Sequence, residues 1–311
     1  MSSKIRSARS SQNDTYHQAY PQSTDKRTAS VGFNAASQYV STTGVHAFVP
    51  PGLGDFRGPC PGLNAMANHD NNHEVQISQF LQLYNLQSNV SDPSQVNYDI
   101  DLLTSFRVSR FQQSIDKNPY FFNGPITGVL VQPAAYQFIF RFMANKSDEY
   151  PEGRLSRDVL KSFFSITGTE HDFVYTPGQE RIPDNWYKRA IGDEYGLLSA
   201  ILELTTIALA HPEFLSVGGN TGQVNTFAGV DFANLTGGVF STSTLLEGNN
   251  LGCFVLQAVM LLPIAGLLEG VLDELVEMVN PLLQAWDCPK LTQMDVSLLE
   301  RFPGYSRYPG N

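Results

Sequence analysis

The chain has 311 residues, a length that suffices for one large domain or two small ones with a substantial buried core. Its formal net charge of −10 excludes the basic footprint by which nucleic-acid-binding proteins are recognised, so we expect no nucleic acid among its partners. Hydrophobic residues make up 42% of the chain and charged residues 16%, which is typical of soluble globular proteins and excludes a fibrous or wholly disordered chain.

Residues 1–44 form the first segment with a character of its own. They are rich in Ser, Thr, Gln and Asn and show no hydrophobic periodicity, which is typical of a disordered tail. The opening residues hold no apolar stretch of the kind that a secretory signal peptide requires. We therefore predict a tail over residues 1–44, a folded domain over residues 45–311, and an intracellular, cytoplasmic location.

Helical periodicity dominates the rest of the chain. Apolar residues spaced i, i+3, i+4 and i+7 predict amphipathic helices, whereas alternating strand patterns are scarce and no internal repeat is found. The stripes are Ile77, Phe80, Leu81 and Tyr84; Tyr136, Ile139, Phe140 and Met143; Leu197, Ile201, Leu204 and Ala208; and Leu268, Leu272, Leu275, Val276 and Val279. We therefore predict a mainly α fold, with a single domain after the tail.

The longest apolar run begins at Leu251 and reads LGCFVLQAVMLLPIAGLL. It contains Gln257, two glycines and Pro263, and a proline inside a helix removes a backbone hydrogen bond and kinks or breaks the helix. The run is also at the lower limit of the length that spans a bilayer. We therefore predict a buried pair of helices here and no membrane anchor.

The chain holds three cysteines, too few for a disulfide scaffold and odd in number. Cys253 lies in the apolar run, where we expect it to pack in the core as a small hydrophobic residue. Cys288 precedes a proline in DCPKL, which by itself indicates no ligand role. Cys60 differs from both because it stands between two prolines, Pro59 and Pro61, in RGPCPGLNAMANH.

The surroundings of Cys60 favour a thiolate. Pro61 suits the first position of a helix, where its missing N–H costs nothing, and Pro59 restrains the chain before it. The residues that follow are compatible with a helix whose N-terminus faces Cys60, and such an end lowers the pKa of a thiol. A thiolate held in this way is a good axial ligand for haem iron. The alternative is that Cys60 is a small buried structural residue.

The segment around Cys60 resembles the proximal loop of a known family. HAFVPPGLGDFRGPCPGLNAMANH, residues 46–69, is similar to that loop in the haem-thiolate peroxidases, the family of fungal chloroperoxidase and the unspecific peroxygenases. The resemblance continues in the same order over most of the chain after residue 44. The later segments are FRVSRFQQSIDKNPYFF at 106–122, LKSFFSITG at 160–168, ERIPDNWYKR at 180–189, GGNTGQVNTF at 218–227 and LLEGNN at 245–250.

The resemblance implies a mainly α haem enzyme in which the Cys60 thiolate ligates the iron of haem b, within a loop shaped by Pro59 and Pro61. Arg57 would pair with a haem propionate as a guanidinium–carboxylate fork, or alternatively is an exposed loop charge. The implied reaction uses hydrogen peroxide to oxidise a small organic molecule, by peroxidation, oxygen insertion or halogenation. Members of the family occur in fungal secondary-metabolite pathways, including the one leading to sterigmatocystin, which suits an intracellular protein.

The chain departs from the family at the distal acid, the carboxylate that moves the peroxide proton by general acid–base catalysis. Shorter members carry it in a Glu-His-Asp motif, and longer members have Glu-Gly-Asp there, which holds a metal ion near a haem propionate. After His69 this chain runs directly into DNNHEVQISQF, as though the segment with that motif were deleted. The letters EHD occur at residues 170–172, at the wrong place in the order of motifs, and we interpret them as a coincidence. We therefore predict no magnesium site.

Glu74 and His73 are the candidates for the proton shuttle, since they lie at the junction from which the missing segment would lead toward the distal side. The alternative is that they belong to a surface cluster that caps the next helix. Two other functions stay open: a degenerate haem-binding protein without peroxide activity, because the distal acid is missing, and an all-α interaction protein that binds no haem. Trp186 and Tyr187 are interpreted as anchors of the core or of a loop.

Overall fold

The structure is a computed structural model, and it describes residues 32–49, 77–261 and 272–307. These residues belong to a compact unit that spans Gly32–Asn311. Helices dominate them, and the strands are short, which confirms the predicted mainly α fold. No helix in these ranges is long and apolar enough to cross a membrane.

The secondary structure is a series of helices joined by turns and by two-residue strands. The helices are α1 (Ala35–Gln38), α2 (Ile77–Tyr84), α3 (Ile100–Lys117), α4 (Gln132–Met143), α5 (Arg157–Phe163), α6 (Leu197–Ala210), α7 (Phe232–Leu235), α8 (Asn250–Leu261) and α9 (Leu272–Ala285). The strands are β1 (Phe122–Asn123), β2 (Ile166–Thr167), β3 (Val174–Tyr175), β4 (Gly218–Gly219) and β5 (Ala228–Gly229). β4 pairs antiparallel with both β1 and β5, and β2 pairs antiparallel with β3.

The predicted apolar stripes lie on helices of the structure. The stripes that begin at Ile77, Tyr136 and Leu197 fall in α2, α4 and α6, and each buries part of its apolar face. Residue 268, at the start of the fourth stripe, lies outside the described residues, and α9 begins at Leu272. The periodicity therefore located these helices correctly.

α3 is the longest of the described helices, and its ends carry the expected signals. Asp99 caps its N-terminus by accepting a hydrogen bond from Leu102 N at 2.9 Å, and Asp101 lies in the first turn, where a negative charge is favourable. Lys117 occupies the last turn, and the helix ends before Asn118, because a residue that precedes a proline avoids the helical conformation. α3 packs against α4.

Two large hydrophobic clusters form the core. One joins apolar residues of α2, α3, α4 and α5 and includes Trp186. The other joins β1, α6, α7 and α8. A smaller cluster contains aromatic residues from α3 and from the turns next to β1 and after α6. Its buried members are Phe111, Phe121, Ile207 and Phe214.

Residues 35–38 fall in the segment that the sequence assigned to the tail, and the described fold therefore begins before residue 45. Gln38 is buried, and its Nε2 donates to the carbonyl oxygen of Lys188 at 2.9 Å. Lys188 N in turn donates to Gln38 O at 2.8 Å. Residues 1–31 lie outside the described residues, so the character of the tail stays a prediction.

Trp186 is an anchor of the core, as the sequence analysis expected. Its ring is buried and packs edge-on against Phe163, and its Nε1 donates to the carbonyl oxygen of Met143 at 2.8 Å. The indole therefore ties the segment after β3 to the end of α4. Only 8% of the residue is exposed, as expected of a core anchor.

Cys253 in α8 and Cys288 after α9 form a disulfide, and their Cα atoms are 5.5 Å apart. Cys253 is buried, as predicted, but the pairing was not anticipated from the sequence. It arises because α8 packs against α9, which brings together two residues separated by 35 positions. Gln257 reinforces the junction: its Nε2 donates to Pro289 O at 2.9 Å, and its Oε1 accepts from Leu291 N at 2.8 Å.

Candidate active site

The residues that the sequence analysis proposed for the site lie between residues 50 and 76, outside the described residues. They are Arg57, Pro59, Cys60, Pro61, His73 and Glu74. Their roles stay predictions. The structure bears on them through the other cysteines, through the alternative EHD motif, and through the buried polar groups that the described residues leave without a partner.

The disulfide removes two of the three cysteines from consideration as thiolate ligands. Cys253 and Cys288 are bonded to each other, so neither can offer a free sulfur to a metal. The chain has only three cysteines, and Cys60 is consequently left without a cysteine partner in its own chain. A free thiol is what an axial thiolate ligand requires.

The EHD letters at residues 170–172 lie in an exposed turn between β2 and β3. The His171 side chain is 87% exposed. Asp172 accepts hydrogen bonds from Thr169 Oγ1 at 2.5 Å and from Thr169 N at 2.6 Å, and these bonds lower the pKa of its carboxyl. A carboxylate used to close a surface turn is unsuited to proton transfer in an enclosed pocket. The interpretation of this match as a coincidence agrees with its position.

The segment between α3 and α4, residues 121–131, is largely buried and contains no acidic residue; it is called the strap. β1 leads into a π-helical turn, Thr127–Val131, which continues directly into α4. Asn123 is fully buried, and its Nδ2 donates to the carbonyl oxygens of Phe214 at 3.3 Å and Ser216 at 2.9 Å. Its Oδ1 has no hydrogen-bond partner and faces Gly128. π-helical turns inside helices are frequent at functional sites.

Arg107 is a buried cation that the described part of the chain leaves without a carboxylate partner. It lies on α3 with 3% of its surface exposed, and its guanidinium packs over the rings of Phe111 and Phe214. Its Nε and Nη2 are buried and donate no hydrogen bond. Burial lowers the pKa of this arginine, and the nearby Tyr136 and Glu213 oppose that effect only in part.

An open cavity of about 370 Å³ lies at the end of α4, and the two arginines that line it form ion pairs within the chain. Arg141 binds Glu152 at 3.0 Å and also forms an ion pair with Glu203, which is mostly buried. Arg189, which also lines the cavity, binds Asp193 at 2.6 Å. Arg189 Nε and Nη2 have no acceptor of their own, but its charge is met by Asp193 through Nη1, whereas no carboxylate of the described residues pairs with Arg107.

Arg107 was not singled out from the sequence, although a signal was present. Leu103, Arg107 and Phe111 follow one another at a spacing of four residues, so they share a face of α3. Both apolar members are buried. An arginine within a buried stripe is unusual, because charged side chains are seldom fully buried unless they are paired. The spacing would have singled it out, but the lack of a partner needs the three-dimensional structure.

Known proteins are similar to this chain along most of its length. A family model described as peroxidase, family 2, matches residues 46–71 and 70–191. Dothistromin biosynthesis peroxidase dotB of Dothistroma septosporum is 33% identical to the chain, over 89% of the chain and 88% of the relative. The chain belongs to peroxidase family 2. Aromatic peroxidase fscJ of Fusarium equiseti is 28% identical, over 88% of the chain and 86% of the relative. This member of the family is an oxidoreductase that acts on peroxide.

The family match is interrupted at the junction where the sequence analysis placed a missing segment. The match is divided into two ranges that overlap at residues 70 and 71, directly after His69. The alignment with the Dothistroma relative spans 369 residues, whereas 89% of the present chain is about 277 residues. About 90 positions of that alignment therefore have no residue in this chain.

The residues present fit a haem group in two respects. Cys60 is a thiol without a disulfide partner and lies in the matched range 46–71. Arg107 is a buried guanidinium that lacks an acceptor, and haem brings two propionate carboxylates. Within the described ranges, no group of three or more His, Cys, Asp and Glu side chains could hold a metal ion, so a ligand set of that kind is not contributed by them.

Proposed function

We propose that this family 2 peroxidase is a haem-thiolate peroxidase or peroxygenase that uses hydrogen peroxide to oxidise a small organic molecule in fungal secondary-metabolite biosynthesis. One observation carries the proposal: the Cys253–Cys288 disulfide leaves Cys60 as the free thiol, and Cys60 lies in the matched range 46–71. Both named relatives are peroxidases, and one is named for dothistromin biosynthesis. They lend no support to the alternative of a haem-binding protein without peroxide activity.

Haem b is the cofactor that these residues would hold. Cys60 would ligate it through Sγ, with Pro59 and Pro61 shaping the loop, and Arg57 would pair with one propionate. When bound, a thiolate-ligated haem supplies an iron centre that promotes cleavage of the O–O bond of peroxide. The contribution of the chain at Cys60 is to keep Sγ deprotonated, for which the helix predicted to begin at Pro61 provides N–H groups and a partial positive charge.

Glu74 or His73 would move the proton of the peroxide. A carboxylate or an imidazole within hydrogen-bond reach accepts the proton from one peroxide oxygen and returns it to the other. In Glu74→Gln or His73→Gln, the variant that lacks the shuttle should consume peroxide more slowly, while its ferrous–CO spectrum stays that of the wild type. Unchanged peroxide consumption in both variants would remove both residues from this role.

The decisive experiment is the ferrous–CO spectrum of protein expressed with added haem. The wild type should show the red-shifted Soret band of a thiolate-ligated haem, and Cys60→Ala should lose it. The double variant Cys253→Ala/Cys288→Ala is the matched control: it removes two sulfurs but keeps Cys60, so the band should persist. A wild-type spectrum that Cys60→Ala leaves unchanged would refute the assignment of the ligand and the proposed function with it.

The intracellular, cytoplasmic location predicted from the sequence is part of the proposal, and the disulfide bears on it. Structural disulfides are found mostly in oxidising compartments, whereas cytosolic thiols are kept reduced. Fractionation of the producing cells tests the location. Thiol alkylation at the moment of lysis shows whether Cys253 and Cys288 are oxidised in the same fraction. Recovery of the protein in the cytosolic fraction supports the location, and recovery in a secretory compartment or in the medium contradicts it.

A further inference from the structure

Arg107 packs in the interior against two aromatic rings. It lies in the middle of α3, and its guanidinium carbon is 4.7 Å from the centre of the Phe214 ring and 5.3 Å from that of the Phe111 ring. Aromatic faces stabilise a cation, but they accept none of its N–H groups in the manner of an oxygen. The planar group is therefore well positioned while its hydrogen-bonding capacity stays partly unused.

The unused donors of Arg107 are the two that recognise a carboxylate. Nε and Nη2 point from the same edge of the guanidinium, and together they form the fork that binds both oxygens of a carboxylate. These two atoms are buried and have no acceptor. A lone missing bond could be met by one water molecule, whereas two adjacent, parallel N–H groups match a bidentate anion.

Among the residues that the structure describes, the other buried arginine, Arg141, is paired with carboxylates, which makes their lack at Arg107 informative. Arg141 forms ion pairs with both Glu203 and Glu152, although only 7% of its surface is exposed. The acidic side chain that acts electrostatically on Arg107 is that of Glu213, and its carboxylate lies 3.2 Å from His211 Nδ1 instead. A buried charge that lacks a partner is costly, so an anion from outside the described residues is expected at the fork.

We propose that the Nε and Nη2 groups of Arg107 bind one propionate of the haem. This inference rests on the proposed function, because the propionate is the carboxylate that the proposed cofactor brings into the interior. Phe111 and Phe214 then form the apolar surroundings of the pair and keep water from it. Arg57, which the sequence assigns to a propionate, remains for the other one. Arg107 is thus a cofactor-binding residue that also lowers the cost of its own burial when the haem is present.

The test compares haem with haem dimethyl ester, in which both propionates are esterified and uncharged. Haem-free protein is titrated with each porphyrin, and the dissociation constants are read from the Soret band. A charge-assisted pair of hydrogen bonds corresponds to a preference of roughly 10- to 100-fold, so the wild type should bind haem more tightly than the ester by at least about that factor. Arg107→Met, which fills a similar volume without charge, should lose most of this preference.

Matched variants separate a ligand role from a structural one. Arg110→Met is the control on the same helix, because Arg110 Nη1 already donates to Gln113 Oε1 at 2.7 Å, and it should keep the wild-type preference. Arg107→Lys keeps the charge but loses the fork, and it should show a reduced preference; it decides the matter if Arg107→Met does not fold. In the haem-free state, Arg107→Met should be at least as stable as the wild type, because it removes an unpaired buried charge.

The outcomes distinguish this inference from the proposed function. If the wild type shows the thiolate-type spectrum but Arg107→Met still prefers haem over its ester to the wild-type extent, the assignment of Arg107 is overturned and the function stands. The assignment is also overturned, and the function again stands, if Arg107→Met loses haem-free stability and binds both porphyrins more weakly by the same factor. If the wild type binds neither porphyrin, both the proposed function and the assignment of Arg107 fail.

Discussion

Lys146 is a buried amine whose protonation changes near neutral pH. Only 2% of the residue is exposed, and its Nζ donates to the backbone carbonyl oxygen of Glu152. Burial, assisted by the positive charge of Arg189, lowers the pKa of Lys146 to about 7. Arg141 acts in the same direction, while the carboxylates of Glu152 and Asp193 act in the opposite one. The folded protein therefore loses this proton long before the unfolded chain does.

This pKa makes stability depend on pH in a defined direction. Below pH 7 Lys146 is charged in the folded and the unfolded protein, and its burial opposes folding fully. Between pH 7 and about 10.5 only the unfolded chain keeps the proton, so the free energy of unfolding rises with pH. Relative to Lys146→Met, the wild type should gain up to about 1.4 kcal/mol per pH unit over this window, as measured by urea unfolding at pH 7, 8 and 9.

A second lysine provides the control for that comparison. Lys161 also donates to a backbone carbonyl oxygen, that of Gly168 at 2.6 Å, but at the surface. Lys161→Met removes a hydrogen bond of the same kind at the surface and is measured beside Lys146→Met at the same pH values. If the free energies of unfolding of the wild type and Lys146→Met changed equally with pH, the pKa of Lys146 would not be lowered by its burial.

The strap between α3 and α4 shows how one element depends on a single glycine. Gly128 lies in the π-helical turn and packs directly against the side chain of Asn123, so a Cβ at this position would overlap Asn123 Oδ1. Asn123 cannot withdraw without losing the bonds that its Nδ2 donates to the carbonyl oxygens of Phe214 and Ser216. The turn, β1 and the segment after α6 are therefore held together at this contact.

Gly128→Ala should consequently destabilise the protein. Forcing one extra methyl group into such a packed, hydrogen-bonded site costs about 1–3 kcal/mol of the free energy of unfolding, which urea unfolding measures directly. Gly229→Ala is the control, because the nearest atom to its added Cβ is Val217 O at 3.9 Å, an ordinary contact. Equal stabilities of the two variants would mean that the strap adapts without cost.

Local signals predicted α2, α4 and α6 but gave no stripe for α3, the longest described helix, and longer-range pairing decided the strands. The stripes at Ile77, Tyr136 and Leu197 are visible in the sequence because a helix repeats every 3.6 residues. β1 and β4 have two residues each, and they exist only because residues 122–123 meet residues 218–219. The Cys60 motif is local and can be read from the sequence, although its role stays a prediction, whereas the unpaired Nε and Nη2 of Arg107 are seen only in three dimensions.

At the scale of the whole molecule, the C-terminal part is fastened to α8 by several contacts. The disulfide joins Cys253 to Cys288, and Gln257 binds the backbone on both sides of residue 290. Gly252 lets the ring of Trp286 approach α8 so closely that a Cβ would lie 2.7 Å from it. α8 also packs against α6. The Cys253–Cys288 bond thus stabilises this region and at the same time leaves Cys60 as the free thiol that the proposed function requires.

Thiol counting and unfolding measure both sides of that link. Unfolded but unreduced protein should react with one equivalent of a thiol reagent, Cys60→Ala with none, and fully reduced wild type with three, because Cys253 and Cys288 are paired. The disulfide closes a 35-residue separation, which corresponds to about 3–4 kcal/mol of stabilisation, so a reductant should lower the unfolding midpoint of the wild type. Cys60→Ala should keep this response and Cys253→Ala/Cys288→Ala should lose it. Three reactive thiols before reduction would show that Cys253 and Cys288 are not paired, and Cys60 would then no longer be the single free thiol.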